Sequence, residues 1–125
     1  MRKKILVVDD EITIRTLLEK FLNQNYEVTA LADGQEGLGW LQTGQIPDLM
    51  IVDLEMPNVD GYEFIKNVRS SGYFQNIPIM MLSGADSSSE RVKCYKLGAN
   101  DFMIKPFNPE ELSLKIEIIL KCKSV

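Results

Sequence analysis

The chain has 125 residues, of which 45% are hydrophobic and 26% are charged, so its size and composition are those of one globular domain. Its net charge of −4 argues against a nucleic-acid-binding surface, which usually needs a basic face. The sequence contains no histidine, which excludes a phosphohistidine, a Ser-His-Asp triad and an imidazole general base. Cys94 and Cys122 have neither Cys-x-x-Cys spacing nor histidine partners, so they predict no zinc site.

The sequence gives no sign of export or of a membrane anchor. The first residues, MRKK, resemble the charged start of a signal peptide, but only the apolar run ILVV follows before Asp9. That run is too short for a signal peptide, and no stretch approaches the ~20 apolar residues of a membrane span. We therefore expect a cytoplasmic protein without membrane insertion. Because no linker, repeat or low-complexity segment interrupts it, residues 1–125 are predicted to form one domain.

The first half of the chain predicts three strands and three helices in alternation. Apolar composition predicts a strand over residues 4–9, a short edge strand over 26–31 and a buried strand over 48–53. A helix beginning at Glu11 is predicted to bury one apolar face, formed by Ile14, Leu17, Leu18, Phe21 and Leu22. Residues 34–43 predict a weaker helix, with Leu38 and either Leu41 or Trp40 facing inward. After a turn through Pro57 and Asn58, a helix over 61–70 is predicted to bury Phe64, Ile65 and Val68.

The second half continues the alternation with two more strands and two more helices. Residues 77–82 predict a strand, and the pattern Ser87-x-x-Glu90 predicts a capping box for a helix that stops at Gly98. The last strand is predicted over residues 101–104. The last helix has Asn108 as its N-cap, Pro109 as its first residue and Glu111 placed to reach back. Its predicted buried face is formed by Leu112, Ile116, Ile119 and Leu120.

Five strands alternating with five helices predict a doubly wound α/β fold. Right-handed crossovers give a parallel sheet with helices on both faces, which agrees with the nearly continuous apolar character of the strands. In a parallel sheet all carboxyl-terminal strand ends lie along one edge, where ligands bind. The polar residues that follow strand ends are therefore expected to meet in one cleft: Asp9, Asp10, Asp53, Ser83 and Lys105.

This set of side chains predicts a phosphoryl-binding site. Two carboxylates about 5 Å apart repel by roughly 3 kcal/mol at an effective dielectric constant of 20, so three of them need a cation, and an all-oxygen site suits Mg²⁺. An amine and a hydroxyl beside that ion provide partners for phosphoryl oxygens. Asp53 stands alone at its strand end and is predicted to be the phosphoacceptor. Asp9 and Asp10 are predicted to bind the metal or position its waters, with Asp10 as the principal ligand.

Four motifs carry a resemblance to a known family. The segments VVDDE, IVDLEMPNVDGYEF, MLSGA and IKPF resemble the receiver domain of two-component response regulators, of the chemotaxis-regulator type. The resemblance covers essentially the whole chain. It implies a flavodoxin-like fold with strand order 2-1-3-4-5, and a cis peptide bond between Lys105 and Pro106.

The resemblance also implies a role for each site residue. Asp53 would accept a phosphoryl group from the phosphohistidine of a histidine kinase or phosphotransfer protein, and the backbone carbonyl of Glu55 would join Asp9 and Asp10 as a Mg²⁺ ligand. Ser83 would donate to a phosphoryl oxygen and Lys105 would pair with one. Ser83 and Phe102 would form the switch: Ser83 is drawn to the phosphate and the Phe102 ring turns into the space it leaves. The family more often has Thr and Tyr at these two positions.

We expect a signalling switch that catalyses only its own phosphorylation and dephosphorylation. Its output is expected to be protein binding through the helix over 87–97, the strand over 101–104 and the helix over 109–121, unless the chain is part of a longer regulator. The same face is a candidate homodimer surface. One alternative is a degenerate receiver that binds partners regardless of phosphate. Another is a Mg²⁺-dependent aspartyl phosphohydrolase, but that class needs a cap and usually a second Asp two residues after the nucleophile, where this chain has Glu55.

Overall fold

The structure, a computed structural model, describes residues 2–85 and 87–123, without the side chains of residues 122 and 123. The strands are β1 (Lys4–Val8), β2 (Glu27–Leu31), β3 (Leu49–Asp53), β4 (Ile79–Ser83) and β5 (Asp101–Ile104). The helices are α1 (Ile12–Leu22), α2 (Gly34–Gln42), α3 (Gly61–Arg69), α4 (Ser88–Leu97) and α5 (Pro109–Lys123). None of the helices in these residues combines the length and the hydropathy that a membrane-spanning helix needs.

The strands form one parallel sheet in the order β2-β1-β3-β4-β5, as predicted, with β2 at an edge. The chain leaves β1 toward one edge to form β2 and then returns to the other side to form β3, so the strand order reverses between β1 and β3. The crevice beyond the strand ends at such a reversal is where open α/β sheets bind ligands. The register pairs Asp53 with Leu82 and Ser83 with Ile104, which aligns the ends of the central strands along one edge.

The sheet separates two apolar clusters, because successive residues of each strand point to opposite faces. The cluster on one face, here the α2–α4 side, is closed by buried residues of α2, α3 and α4: Leu41, Phe64, Ile65, Val68 and Cys94. The cluster on the other face, here the α1–α5 side, is closed by residues of α1 and α5: Leu18, Leu22, Leu112, Ile116 and Leu120. Neighbouring strand residues such as Ile51 and Val52 therefore belong to different clusters.

The helix ends follow the predicted capping residues. Ser87 accepts a hydrogen bond from the backbone N–H of Glu90, and Asn108 accepts from the N–H groups of Glu110 and Glu111. Helix α4 stops at Gly98, whose φ of 114° lies in the left-handed region that favours glycine. These contacts satisfy backbone groups that the helices leave without partners, and they fix where each helix begins or ends.

Two features of the helices differ from the sequence prediction or were absent from it. Leu17 was expected on the buried face of α1, but it is 49% exposed, whereas Leu18 and Leu22 are buried. At the end of α3, the guanidinium of Arg69 donates to the carbonyl oxygens of four residues and to the side-chain oxygen of a fifth: Phe74, Gln75, Ile77, Gly98 and Asn100. Arg69 thus ties together α3 and the segments that lead into β4 and β5.

Candidate functional site

Three of the predicted site residues meet in direct contact at the carboxyl-terminal edge of the sheet. Asp9 follows β1, Asp53 ends β3 and Lys105 follows β5. The Lys105 ammonium nitrogen lies 3.0 Å from Asp9 Oδ2 and 3.3 Å from Asp53 Oδ1. Asp9 is fully buried, Asp53 is 3% exposed and the Lys105 side chain is 10% exposed, so these charges interact with little screening by water. The predicted cis peptide bond between Lys105 and Pro106 is present.

Glu11, where the sequence predicts only the beginning of a helix, is a further member of the cluster. Its Oε1 accepts a hydrogen bond of 2.8 Å from Lys105 Nζ, although the Glu11 side chain is 58% exposed. Glu11 directly follows Asp9 and Asp10, so three consecutive acids at the end of β1 are the sequence feature that indicates its place in the cluster. Lys105 therefore serves three carboxylates: one on the rim of the cleft and two within it.

The carboxylates of Asp9, Asp10 and Asp53 form a compact oxygen cluster, in which one oxygen from each lies within 4.8 Å of the others. Asp9 Oδ1 accepts from the Glu11 backbone N–H at 2.9 Å, and Asp53 Oδ1 accepts from the Glu55 N–H at 3.3 Å. Among the described residues, Asp9 Oδ2 has no hydrogen-bond donor, although it lies 3.0 Å from Lys105 Nζ, because that ion pair lacks the geometry of a hydrogen bond. A buried, under-satisfied carboxylate oxygen next to two further carboxylates fits a hard divalent cation such as Mg²⁺.

The electrostatics of the cluster show the same shortage of positive charge. Burial is the largest cause that raises the pKa of Asp53, to about 7, and the charge of Asp9 raises it further while Lys105 lowers it. Burial also raises the pKa of Asp9, against the opposing effects of its hydrogen bond from Glu11 and of Lys105. Burial lowers the pKa of Lys105, but its hydrogen bond to Glu11, its ion pair with Asp9 and the charge of Asp53 outweigh that effect and raise it overall. Lys105 thus stays protonated, and one ammonium group does not neutralise the acids around it.

Ser83 ends β4 beside this cluster, but its hydroxyl makes its hydrogen bonds toward α4. The hydroxyl oxygen accepts from the Ala85 N–H at 3.1 Å, and it lies 3.3 Å from Glu90 Oε1 and 3.4 Å from the Ala85 carbonyl oxygen, two acceptors for its single hydrogen. Ser83 is fully buried. Its predicted role, a hydrogen bond to a phosphoryl oxygen, requires the hydroxyl to turn from these partners toward Asp53.

Phe102, the second predicted switch residue, is 5% exposed and belongs to the apolar cluster on the α2–α4 side. The ring is thus buried while the Ser83 hydroxyl bonds toward Ala85 and Glu90. The switch role of Phe102 stays a prediction, and its burial alone accounts for an apolar ring at this position.

The sequence and the fold match those of a known protein family. A family model described as the response regulator receiver domain matches residues 5–117. The chain belongs to this family. The match confirms the resemblance noted in the four sequence motifs, and it makes the chain a signalling domain of two-component systems.

Solved receiver structures share the fold closely. The chemotaxis protein CheY4 of Vibrio cholerae superimposes with a TM-score of 0.89 at 36% identity, over 95% of this chain and 99% of that one. The receiver domain of the sensor histidine kinase PA1611 from Pseudomonas aeruginosa superimposes with a TM-score of 0.88 at 28% identity, over 97% of this chain and 99% of that one. The latter structure has a magnesium ion coordinated in its active-site cleft.

The curated relatives are longer regulators. The probable transcriptional regulator ycf27 of Cyanophora paradoxa is 42% identical over 121 residues, which are 96% of this chain and 49% of that protein. The alkaline phosphatase synthesis transcriptional regulatory protein PhoP of Bacillus subtilis is 41% identical over 122 residues, which are 97% of this chain and 50% of PhoP. The chain spans about half the length of these curated relatives.

Proposed function

We propose that this receiver domain accepts a phosphoryl group on Asp53 from the phosphohistidine of a histidine kinase or phosphotransfer protein, and that the modification changes a protein-binding surface. The observation that supports this proposal is that Asp53 lies next to a fixed ammonium group and to two further carboxylates that can hold a metal ion. Lys105 Nζ lies 3.3 Å from its carboxylate, and the oxygens of Asp9 and Asp10 lie within 4.8 Å of it. We place the reaction in the cytoplasm, as expected from the sequence.

In the proposed transfer, a carboxylate oxygen of Asp53 attacks the phosphorus of the donor. The new P–O bond forms while the P–N bond of the phosphohistidine breaks, and the donor imidazole leaves and takes up a proton. A Mg²⁺ ion held by Asp9, Asp10, Asp53 and the carbonyl of Glu55 would supply positive charge for the transferring oxygens and keep Asp53 ionised. Without that charge, Asp53 has a pKa of about 7 and is protonated in a substantial fraction of molecules near neutral pH.

The remaining site residues orient and neutralise the phosphoryl group. Lys105 already holds its ammonium between Asp9 and Asp53, so it needs little movement to pair with an oxygen bound to Asp53. Ser83 would donate its hydroxyl hydrogen to a second oxygen after turning from Ala85 and Glu90. We further propose that the protein turns over only its own phosphoryl group, because Glu55 stands where an aspartyl phosphohydrolase usually has a second Asp.

The surface formed by α4, β5 and α5 is our candidate for output. It exposes four large apolar side chains on its helices, each between 45% and 61% accessible: Val92, Tyr95, Leu114 and Ile118. Leu114 and Ile118 are four residues apart on α5 and so lie on the same face of that helix. This face suits a protein partner, either an output protein or a second copy of the chain, and the negative net charge disfavours direct nucleic-acid binding by the domain itself.

Intact-mass spectrometry with a small phosphodonor and Mg²⁺ tests the proposal. We expect one phosphoryl adduct on the wild-type protein and none on Asp53→Asn. Asp33→Asn is the matched control: Asp33 caps α2 through the N–H of Glu36, a role that Asn fills equally well, so this variant should be phosphorylated normally. An adduct that persists in Asp53→Asn would refute the assignment. A wild-type protein that takes no adduct would favour a degenerate, phosphate-independent receiver.

A further inference from the structure

The hydrogen bond between Ser83 and Glu90 joins the site to α4. Ser83 ends β4 and is fully buried, and its Oγ lies 3.3 Å from Glu90 Oε1 in the first turn of α4. The Glu90 backbone N–H is bonded to Ser87, which caps the same helix. Glu90 therefore holds its position through its backbone while its carboxylate reaches back to the end of β4.

Helix α4 buries little apolar surface, although Leu97 packs partly buried against the cluster on the α2–α4 side and Lys93 Nζ lies 4.0 Å from the centre of the Tyr62 ring. Cys94 is its buried residue, whereas Val92 and Tyr95 are 50% and 45% exposed. At its carboxyl end, Arg69 donates to the Gly98 carbonyl at 3.0 and 2.8 Å. A helix with so little buried apolar surface is held in part by polar contacts at its ends, so a change in one of those contacts can move it.

We propose that Glu90 is a positioning residue that holds the Ser83 hydroxyl toward α4 and competes with a phosphoryl group on Asp53 for its hydrogen. This inference rests on the proposed function. The Ser83 hydroxyl has one hydrogen, for which Glu90 Oε1 at 3.3 Å is the nearer acceptor and the Ala85 carbonyl oxygen at 3.4 Å the other, so a bond from Ser83 to a phosphoryl oxygen excludes the bond from Ser83 to Glu90. When Ser83 turns to the phosphoryl group, Glu90 loses its donor and the first turn of α4 loses a contact with β4. Glu90 thereby transmits the state of the site to the output surface.

The competition has a measurable size. In a two-state equilibrium, a contact that favours the unmodified arrangement lowers the apparent affinity for any ligand that favours the other one. The Ser83–Glu90 bond is long, so we expect its removal to tighten binding of a phosphoryl analogue about fivefold, which corresponds to about 1 kcal/mol. Removal of Ser83 itself should abolish this effect of Glu90, because both act through one hydrogen bond.

Beryllofluoride titration in the presence of Mg²⁺ measures the effect. Glu90→Ala should bind the analogue about fivefold more tightly than the wild type. Glu63→Ala is the matched control: Glu63 is the third residue of α3, its N–H is bonded to the capping residue Asp60, and it is exposed, so it shares the helix position of Glu90. In the Ser83→Ala background, Glu90→Ala should change nothing. Equal affinities of Glu90→Ala and Glu63→Ala, or an undiminished Glu90→Ala effect without Ser83, would overturn the inference.

Amide hydrogen exchange without Mg²⁺ or beryllofluoride provides a reading that does not depend on phosphoryl chemistry. Glu90→Ala and Ser83→Ala should each speed exchange in the first turn of α4, and the double variant should be no faster than the faster single one. Additive effects would mean that Glu90 only stabilises the helix end, which would overturn the inference. If no variant binds beryllofluoride, the proposed function fails, and the exchange data alone decide whether Glu90 holds Ser83.

Discussion

Asp53→Asn should stabilise the protein when divalent cations are removed, because it takes one charge from an overcrowded cluster. The ligand oxygens of Asp9, Asp10 and Asp53 lie within 4.8 Å of one another. At an effective dielectric constant of about 20, Asp9 and Asp10 each repel Asp53 by roughly 3.5 kcal/mol, and Lys105 at 3.3 Å attracts it by roughly 5 kcal/mol. The net repulsion on Asp53 is then about 2 kcal/mol, to which its burial adds a further cost.

The pH dependence of this gain follows from the raised pKa of Asp53, about 7 in the fold against 3.8 as the ordinary value. Since folding favours the protonated carboxyl, the wild type keeps this stability below about pH 4 and loses it as the pH rises to about 7. The whole shift corresponds to about 4 kcal/mol, which with the Coulomb sum brackets the expected gain at about 2–4 kcal/mol. Asn at this position does not titrate, so the gap between the two proteins should be largest above about pH 7 and close toward about pH 4.

Thermal unfolding in a chelator at about pH 8 and about pH 4.5 measures the effect. For a chain of 125 residues, a gain of 2 kcal/mol raises Tm by about 8 °C. Glu27→Gln, which removes an exposed carboxylate from the edge strand, is the control and should leave Tm nearly unchanged. Mg²⁺ should raise the Tm of the wild type more than that of Asp53→Asn. An Asp53→Asn protein no more stable than the wild type at about pH 8 would refute the electrostatic account of the cluster.

Lys105→Met should lower the free energy of urea unfolding by about 3 kcal/mol in a chelator, because it leaves buried carboxylates without their counter-charge. Mg²⁺ should restore part of this loss, and the absence of any recovery would contradict the explanation. Gly61→Ala should cost about 1–3 kcal/mol, since an added Cβ would lie 2.7 Å from the Cα of Leu54, whereas Gly39→Ala, with nothing within 4 Å, should gain up to about 1 kcal/mol in the same assay. Arg69→Met should lower the free energy of chemical unfolding by about 2–4 kcal/mol, because carbonyl oxygens near β4 and β5 lose their donor. The affinity for Mg²⁺ should stay unchanged, and a changed affinity would mean that Arg69 is coupled to the carboxylate cluster.

The sequence was sufficient to predict which side chains lie at the carboxyl-terminal edge of the sheet, because the position of a strand end can be inferred from local sequence. Each buried strand reads as an apolar run, and the first polar residue after it must lie at the strand end. Parallel topology then brings Asp9, Asp53 and Lys105 together however far apart they are in the chain. Helix caps such as Asn108 followed for the same reason, since a side chain that bonds backbone two or three residues ahead needs no tertiary context.

What the sequence did not predict depends on competition among tertiary partners. The capping pattern gives the spacing of Ser87 and Glu90, but it does not tell that the Glu90 carboxylate meets the hydroxyl of Ser83. Periodicity places Leu17 on the apolar stripe of α1, yet only the position of α1 against the sheet decides that this edge of the stripe faces solvent. Arg69 carries no sequence signal at all, because its partners are backbone carbonyls, which every residue offers.

The central sheet also divides the apolar interior into two separate clusters. Phe102 and Met103 are neighbours in the chain, but one belongs to the cluster with α2, α3 and α4 and the other to the cluster with α1 and α5. A side chain that repacks on the first side therefore exchanges apolar partners within its own cluster and not with those of the second. A receiver built in this way can rearrange around α4 and Phe102 while α1 and the inner face of α5 keep their shape. The side with α2, α3 and α4 can then change conformation while the side with α1 and α5 keeps its structure.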